Sequence, residues 1–165
     1  MNRTDGDPRQ FIEDMGDLMD EHGMPHMAGR VIGALLVSDP PHRSLDELAE
    51  ELQASKGAIS MSTQLLIRLG IIEKISIPGE RRRYYRVQPG IWSELFLRRD
   101  EHVDRHRHVA EAGLALLADK PIEARMRLLE MLVFFDFIAQ ELPGFEKRWS
   151  ERRGELMKRR VDANA

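Results

Sequence analysis

Residues 44–89 constrain the fold more than any other stretch, because helical periodicity gives way there to strand character within a few dozen positions. Ser44 opens a helix with a capping box: Glu47 lies three residues on and can bond back to the cap amide. Leu45, Leu48, Ala49 and Leu52 form its apolar stripe. Gln53 and Ala54 make a turn, and Ser55 caps a second helix that runs to Leu69 with Gly70 as a left-handed stop. Ile59, Thr63, Leu66 and residues 69–71 are expected to point inward, which leaves Lys56, Gly57, Ser60, Met61 and Gln64 on the opposite face. Two strands are predicted next, over 73–77 and 82–87. Pro78, Gly79 and Glu80 join them, so Arg81, Arg82 and Arg83 fall at the turn.

Charge separates along the chain in a way the net value of −3 conceals. Residues 1–54 hold 4 Lys/Arg against 12 Asp/Glu, and residues 87–165 hold 14 of each. Residues 55–86 hold 7 against 2, a local +5 on the second helix and the hairpin. Such a surface attracts a phosphate backbone, while the acidic remainder limits indiscriminate adhesion. The face from Gly57 to Ile67 is almost uncharged, and small hydrogen-bonding residues there suit entry into a major groove. The alternative is a solvated helix face beside a hairpin tip that happens to be rich in arginine.

The flanks read as helices. Phe11, Ile12, Met15, Leu18 and Met19 recur at helical spacing up to Gly23, and Pro25 opens a helix over 25–37 in which Gly29 and Gly33 permit close approach by another helix. Beyond Gly90, the pattern of Ile91, Leu95, Val103 and 110–117 predicts one long helix. A helix over 122–141 follows, with Pro143-Gly144 as its break, and a basic helix over 145–161 ends the chain. This organisation suggests an N-terminal helix (1–24), a central domain (25–90) and a C-terminal helical region (91–165). The absence of cysteine excludes disulfides and thiolate metal sites. No signal pattern opens the chain, and the apolar run at 128–138 is about half the length a membrane helix requires, so a cytoplasmic protein is expected.

A helix, a turn, a second helix and then a basic hairpin make the layout of a winged helix-turn-helix, in a chain that is mainly α with a small β-wing. The stretches GRVIGALLVSDPP (29–41), SLDELAEELQASKGAISMS (44–62), LGIIEKISIPGERRRYYRV (69–87) and MLVFFDF (131–137) resemble the GbsR-like branch of the MarR superfamily of bacterial transcriptional regulators. The resemblance implies a homodimer whose N- and C-terminal helices form the dimerisation body, each subunit offering one winged helix to a palindromic operator in double-stranded DNA. By position, it places Ser55, Lys56, Gly57, Ser60, Met61 and Gln64 on the recognition helix and Glu80, Arg81 and Arg82 in the wing. Glu80 stands where the superfamily usually has Asp, which keeps the charge and lengthens the arm. Arg83 completes the basic tip. Of Tyr84 and Tyr85, on opposite faces of their strand, one is expected to pack on the helices and the other to reach the DNA backbone.

A dimeric repressor controlled by a small-molecule effector is the leading expectation. A winged-helix module that binds protein rather than specific DNA is the alternative. Enzymatic activity is not expected, since there is no cysteine nucleophile, phosphate-binding glycine loop or HExxH motif, and no cofactor is implied. His102 and His106 share a helix face and are weak metal candidates, whereas a solvated or interface helix explains them as well; His108 lies on another face. His22, His26 and His42 are expected at the surface. The run 128–138, with Phe134, Phe135 and Phe137, must be buried on several sides and is expected in a dimer core more than around a ligand pocket. Asp136 within it calls for a polar contact across that interface or a capping role.

Overall fold

The structure, a computed structural model, describes residues 7–97 and 100–165. The chain forms two compact units, Met1–Ile91 and Trp92–Ala165.

The first unit begins with α1 (Pro8–Glu21), capped by the Asp7 side chain, which accepts from the Arg9 amide at 2.9 Å. Helix α2 (His26–Val37) follows and lies against α1. Glycines set how closely the two helices meet. A Cβ on Gly29 would stand 2.4 Å from the Met15 carbonyl oxygen and 2.7 Å from the Gly16 Cα, and one on Gly16 would strike the His26 ring. The approach expected of Gly29 and Gly33 is thus made, and α1 is the helix that makes it. It lets Ile12 and Met15 join Ala28, Val31, Ile32, Ala34 and Leu35 in the core. Arg30 closes the contact on two sides, with Glu13 of α1 at 2.8 Å and the Leu52 carbonyl, to which it donates, at 3.1 Å.

After α2 come β1 (Arg43–Ser44), α3 (Leu45–Glu51), α4 (Lys56–Arg68), β2 (Ile72–Ser76) and β3 (Arg83–Val87). The strands form one antiparallel sheet in the order β1-β3-β2, with Arg43 opposite Tyr85 and Ile72 opposite Val87. The capping box expected at Ser44 is present: its hydroxyl accepts from the Glu47 amide at 3.3 Å and its own amide donates to Glu47 at 2.6 Å. Leu48 and Leu52 from α3 and Ile59, Thr63 and Leu66 from α4 are buried, with Ile71 and Ile72 beyond them. Leu69, expected inside, is 42% exposed at the helix C-cap. Gly70 takes the left-handed conformation (φ 71°) that ends α4.

Two features of the sheet differ from the sequence reading. Strand β1 was not expected: a two-residue strand carries no periodic signal, and its pairing with β3 depends on a partner some forty residues away. The hairpin strands are also displaced, ending at Ser76 and resuming at Arg83, so the tip spans 77–82 and Arg83 stands on β3 rather than in the turn. The Glu80 amide donates to the Ile77 carbonyl at 3.0 Å, and Gly79 supplies a positive φ of 86° that a side chain would strain.

In the second unit, α6 (Asp100–Leu116) and α7 (Ile122–Asp162) pack together, and α5 (Ile91–Leu97) begins at the boundary between the units. The stretch expected as one long helix is occupied by α5 and α6; positions 98–99, where they would join, lie outside the described residues. Helices α6 and α7 run antiparallel, since Gly113 meets Leu128 while Arg107 meets Asp136. Pro143 does not break α7, which continues unbroken for 41 residues. An internal proline costs about 3 kcal/mol. Continuity keeps Ile138, Leu142, Phe145 and Trp149 at helical spacing on one stripe, and the buried Leu142 sits at the proline itself. Asp136 also departs from expectation: its carboxylate accepts from Arg107 Nε of the same chain at 2.6 Å, without recourse to another subunit.

Gly29→Ala should lower the urea midpoint by an amount equivalent to roughly 1–3 kcal/mol, because backbone atoms of α1 block the new methyl. Gly57→Ala, whose Cβ would meet nothing closer than Ser55 Oγ at 3.9 Å, should be neutral or stabilising by about 0.5–1 kcal/mol. Equal destabilisation by both substitutions would refute the close-approach account of α1 and α2.

Candidate nucleic-acid interface

Helix α4 is held by its inner face and presents its outer one. Ile59, Ser62, Thr63 and Leu66 are buried, while Ser55, Lys56, Gly57, Met61 and Gln64 are exposed and Ser60 is half-buried. Ser55 caps the helix by accepting from the Ala58 amide at 3.2 Å, which places the α4 N-terminus and its positive dipole end at the surface. Met61 is 74% exposed on this face. Gln64 donates to Ser60 Oγ at 3.2 Å, so these two polar groups are satisfied within the helix until a partner replaces that bond. The left-handed conformation between α3 and α4 falls on Gln53 (φ 48°), a non-glycine residue in the turn.

The wing is positioned by tyrosines. Both Tyr84 and Tyr85 are buried, contrary to the expectation that one would reach for DNA. Tyr84 meets His42 edge to face at 5.0 Å and donates its hydroxyl to Glu80 at 2.6 Å, while Lys74 lies over the Tyr85 ring at 6.0 Å. Sequence alternation puts the two on opposite faces, but a small sheet with structure on both sides buries each of them. The longer carboxylate arm at position 80 thus serves to reach Tyr84. That hydrogen bond, followed by desolvation, raises the Tyr84 phenol above its ordinary value. Arg81, Arg82 and Arg83 are all exposed, and no ion pair engages them among the described residues.

Acidic groups of α3 stand close to these cations, a relation invisible in the sequence because it depends on how α3 and α4 fold back on each other. Lys56 Nζ lies 2.6 Å from Asp46 Oδ1, and both side chains are mostly exposed. The Asp46 carboxyl is held below its ordinary value by the hydrogen bond from Lys56 first, then by the Lys56 charge, with a smaller contribution from Arg82. Glu47 is lowered by the backbone bond from Ser44 first, and Arg82 contributes there as well.

His102 and His106 share a face of α6, but His106 Nδ1 is within 2.5 Å of the His102 carbonyl and its ring stacks on Phe135 at 4.3 Å. Among the described residues no group of three or more His, Asp or Glu gathers as a ligand set. Two histidines expected at the surface are partly exposed there and also pack: His26, its side chain 41% exposed, lies over Gly16 and beside Asp17, and half-buried His42 meets Tyr84. No helix among the described residues is long and apolar enough to cross a membrane.

Two helices joined by a turn, with a three-stranded sheet ending in a basic wing, define a winged helix-turn-helix protein. Comparison with known proteins agrees. The MarR family model matches residues 22–83, and a model of MmpR5-like MarR family transcriptional regulators matches residues 90–152. The HTH-type transcriptional regulator MmpR5 of Mycobacterium tuberculosis (strain ATCC 25618 / H37Rv) is 34% identical over 149 residues, covering 90% of each chain. The HTH-type transcriptional repressor OpcR of Bacillus subtilis (strain 168) is 34% identical over 78 residues, 47% of this chain and 42% of its own. A crystal structure of a transcriptional regulator matches with a TM-score of 0.76 at 33% identity, over 89% of this chain and 100% of the other. The chain belongs to the MarR family of transcriptional regulators, and its relatives are MmpR5-like. It is therefore a regulator and not an enzyme.

The phenol of Tyr84 gives a pH test of the wing. A folded pKa raised above the unfolded value contributes stability that is fully present below about pH 10 and is lost as pH rises through the folded pKa. In a phenolate absorbance titration Glu80→Gln should bring the Tyr84 step down in pH. An unchanged curve would show that Glu80 does not hold Tyr84.

Proposed function

We propose that this chain is a dimeric, DNA-binding repressor that reads a palindromic operator through α4 and the wing and responds to a small-molecule effector. The observation that carries the reading is the outward face of α4, with Lys56, Met61 and Gln64 exposed beside a wing whose arginines have no ion-pair partner among the described residues. Ser55, Lys56 and Gly57 present the helix N-terminus to phosphate, and Gly57 lets the backbone come close. Ser60 and Gln64 face the base edges, where a glutamine can bond adenine with both ends of its amide. Met61 packs against sugar or thymine methyl groups. Arg81, Arg82 and Arg83 meet the backbone or the narrow groove beside it.

Dimerisation is supported by the second unit. Val109 on α6 and Met126, Val133, Phe134 and Phe137 on α7 are each more than half exposed, and a helix pair with that surface gains by covering it. Two subunits would then set their α4 helices about 34 Å apart, one turn of DNA. An effector acts by altering that spacing, since it must bind the two arrangements with different affinity. The organisation into an N-terminal helix (1–24), a winged domain (25–90) and a C-terminal dimerisation region (91–165) belongs to the same proposal. So does placement in the cytoplasm, where operator DNA is reached. The GbsR-like affinity within the family is supported by the stretches SKGAISMS and PGERRRYY.

Fluorescence anisotropy on duplex DNA taken from immediately upstream of the protein's own gene, against a scrambled duplex over a salt series, tests the reading. Arg82→Ala should weaken binding to both duplexes and reduce the salt slope by about one. Gln64→Ala should instead shift sequence preference, at a cost of about 1–3 kcal/mol on the preferred duplex. Absence of binding to any duplex at low salt would overturn the DNA reading and favour a winged-helix module whose exposed Met61 contacts protein.

A further inference from the structure

We infer that Asp46 tempers the DNA affinity of the proposed interface: it occupies Lys56 in the free protein and thereby restrains every mode of binding in which Lys56 meets phosphate. The inference rests on the proposed DNA reading and concerns a residue on α3, outside the helix and wing that would touch DNA.

The geometry is direct. Asp46 lies in the first turn of α3, and its carboxylate oxygen is 2.6 Å from Lys56 Nζ, in the first turn of α4. The side chains are 70% and 55% exposed for Lys56 and Asp46, so the pair sits at the surface a phosphate would approach. Arg82, at the wing tip, acts electrostatically on Asp46 and on Glu47, and Asp46 lies in the field of both basic elements of the proposed interface. Asp46 also complements the positive end of α3, and a carboxylate there is stabilised whether or not DNA is bound.

A carboxylate in this position is an internal competitor for phosphate. When Lys56 meets the DNA backbone it must leave Asp46 or share its proton donors, and Asp46 then stands close to a second anion. Exposed ion pairs are individually weak, which suits a regulator: the restraint is a few-fold in affinity, not a block. Binding to unrelated sequence derives essentially all its free energy from phosphate contacts and counterion release. A cognate complex that also places Lys56 on phosphate bears the same restraint, because the cost of releasing Lys56 from Asp46 is common to both modes. Asp46 thus lowers the affinity of the whole surface for DNA and leaves sequence choice to Gln64 and its neighbours.

Anisotropy salt series with wild type, Asp46→Asn, Lys56→Gln and the double variant, on the upstream duplex and on the scrambled one, decide the matter. Thermal melting confirms that each variant is folded. Asp46→Asn should tighten binding to scrambled DNA by about two- to five-fold. It should tighten binding to the upstream duplex by a similar factor, leave the ratio between the duplexes unchanged, and steepen the dependence of log K on log salt by about one contact's worth. In the Lys56→Gln background the same substitution should have a much smaller effect. Asp46→Asn affinities equal to wild type, weaker binding, or an equal gain with and without Lys56 would each overturn the inference. The DNA reading fails separately, by wild-type protein that binds neither duplex.

Discussion

Ser44 is the point at which the two halves of the proposed interface are tied together. Its backbone pairs with Tyr84 in the sheet, its side chain closes the first turn of α3, and its amide is bonded by Glu47. It is 3% exposed, so each of those polar groups must be satisfied inside the protein. Tyr84 in turn holds Glu80 at the wing tip. Where α3 starts, where β3 lies and where the wing points are therefore settled by one short run of hydrogen bonds. Helix α4 is added by burial of Ile59 and Leu66 with Leu48 and Leu52 of α3 in a common core. A residue with no contact of its own to a partner can thus govern how that partner is met.

Electrostatics in this molecule works at short range. The chain carries a net charge of −3, but fields from exposed groups fade over about 8–10 Å at physiological salt. What counts is which acids the fold brings close, and it places Asp46 of α3 within contact of Lys56. The balance of charge at the interface is set by α3 rather than by the chain as a whole.

Much of the fold was legible because local signals agreed with tertiary need. The capping box at Ser44, the Ser55 cap, the Gly70 stop and the alternation of α4 each point to the structure that forms. The failures share a physical cause. Pro143 looks like a break because propensity is local, whereas the stripe through Leu142 and Phe145 rewards continuation. Strand β1 and the ion pair of Asp46 with Lys56 depend on segments brought together only by folding. One of Tyr84 and Tyr85 reads as available from strand alternation, which says which face a side chain takes but not what covers that face. The exposed residues of α4 were found from periodicity, and the structure adds that Ser60 and Gln64 are already bonded to each other.

The length of α7 has a thermodynamic consequence of its own. At 1.5 Å per residue, 41 residues make a rod about 60 Å long, and every residue from Ser150 onward is exposed. No buried face holds that final stretch. Its order comes from backbone bonds and from neighbouring pairs such as Lys147 with Glu151 and Glu155 with Arg159. Segments of such length are close to the limit at which helices persist unaided in water. In a single chain, with no partner over that stretch, the far end of the rod would therefore melt by degrees, with temperature and salt grading its helicity, while the winged unit unfolds as one cooperative body.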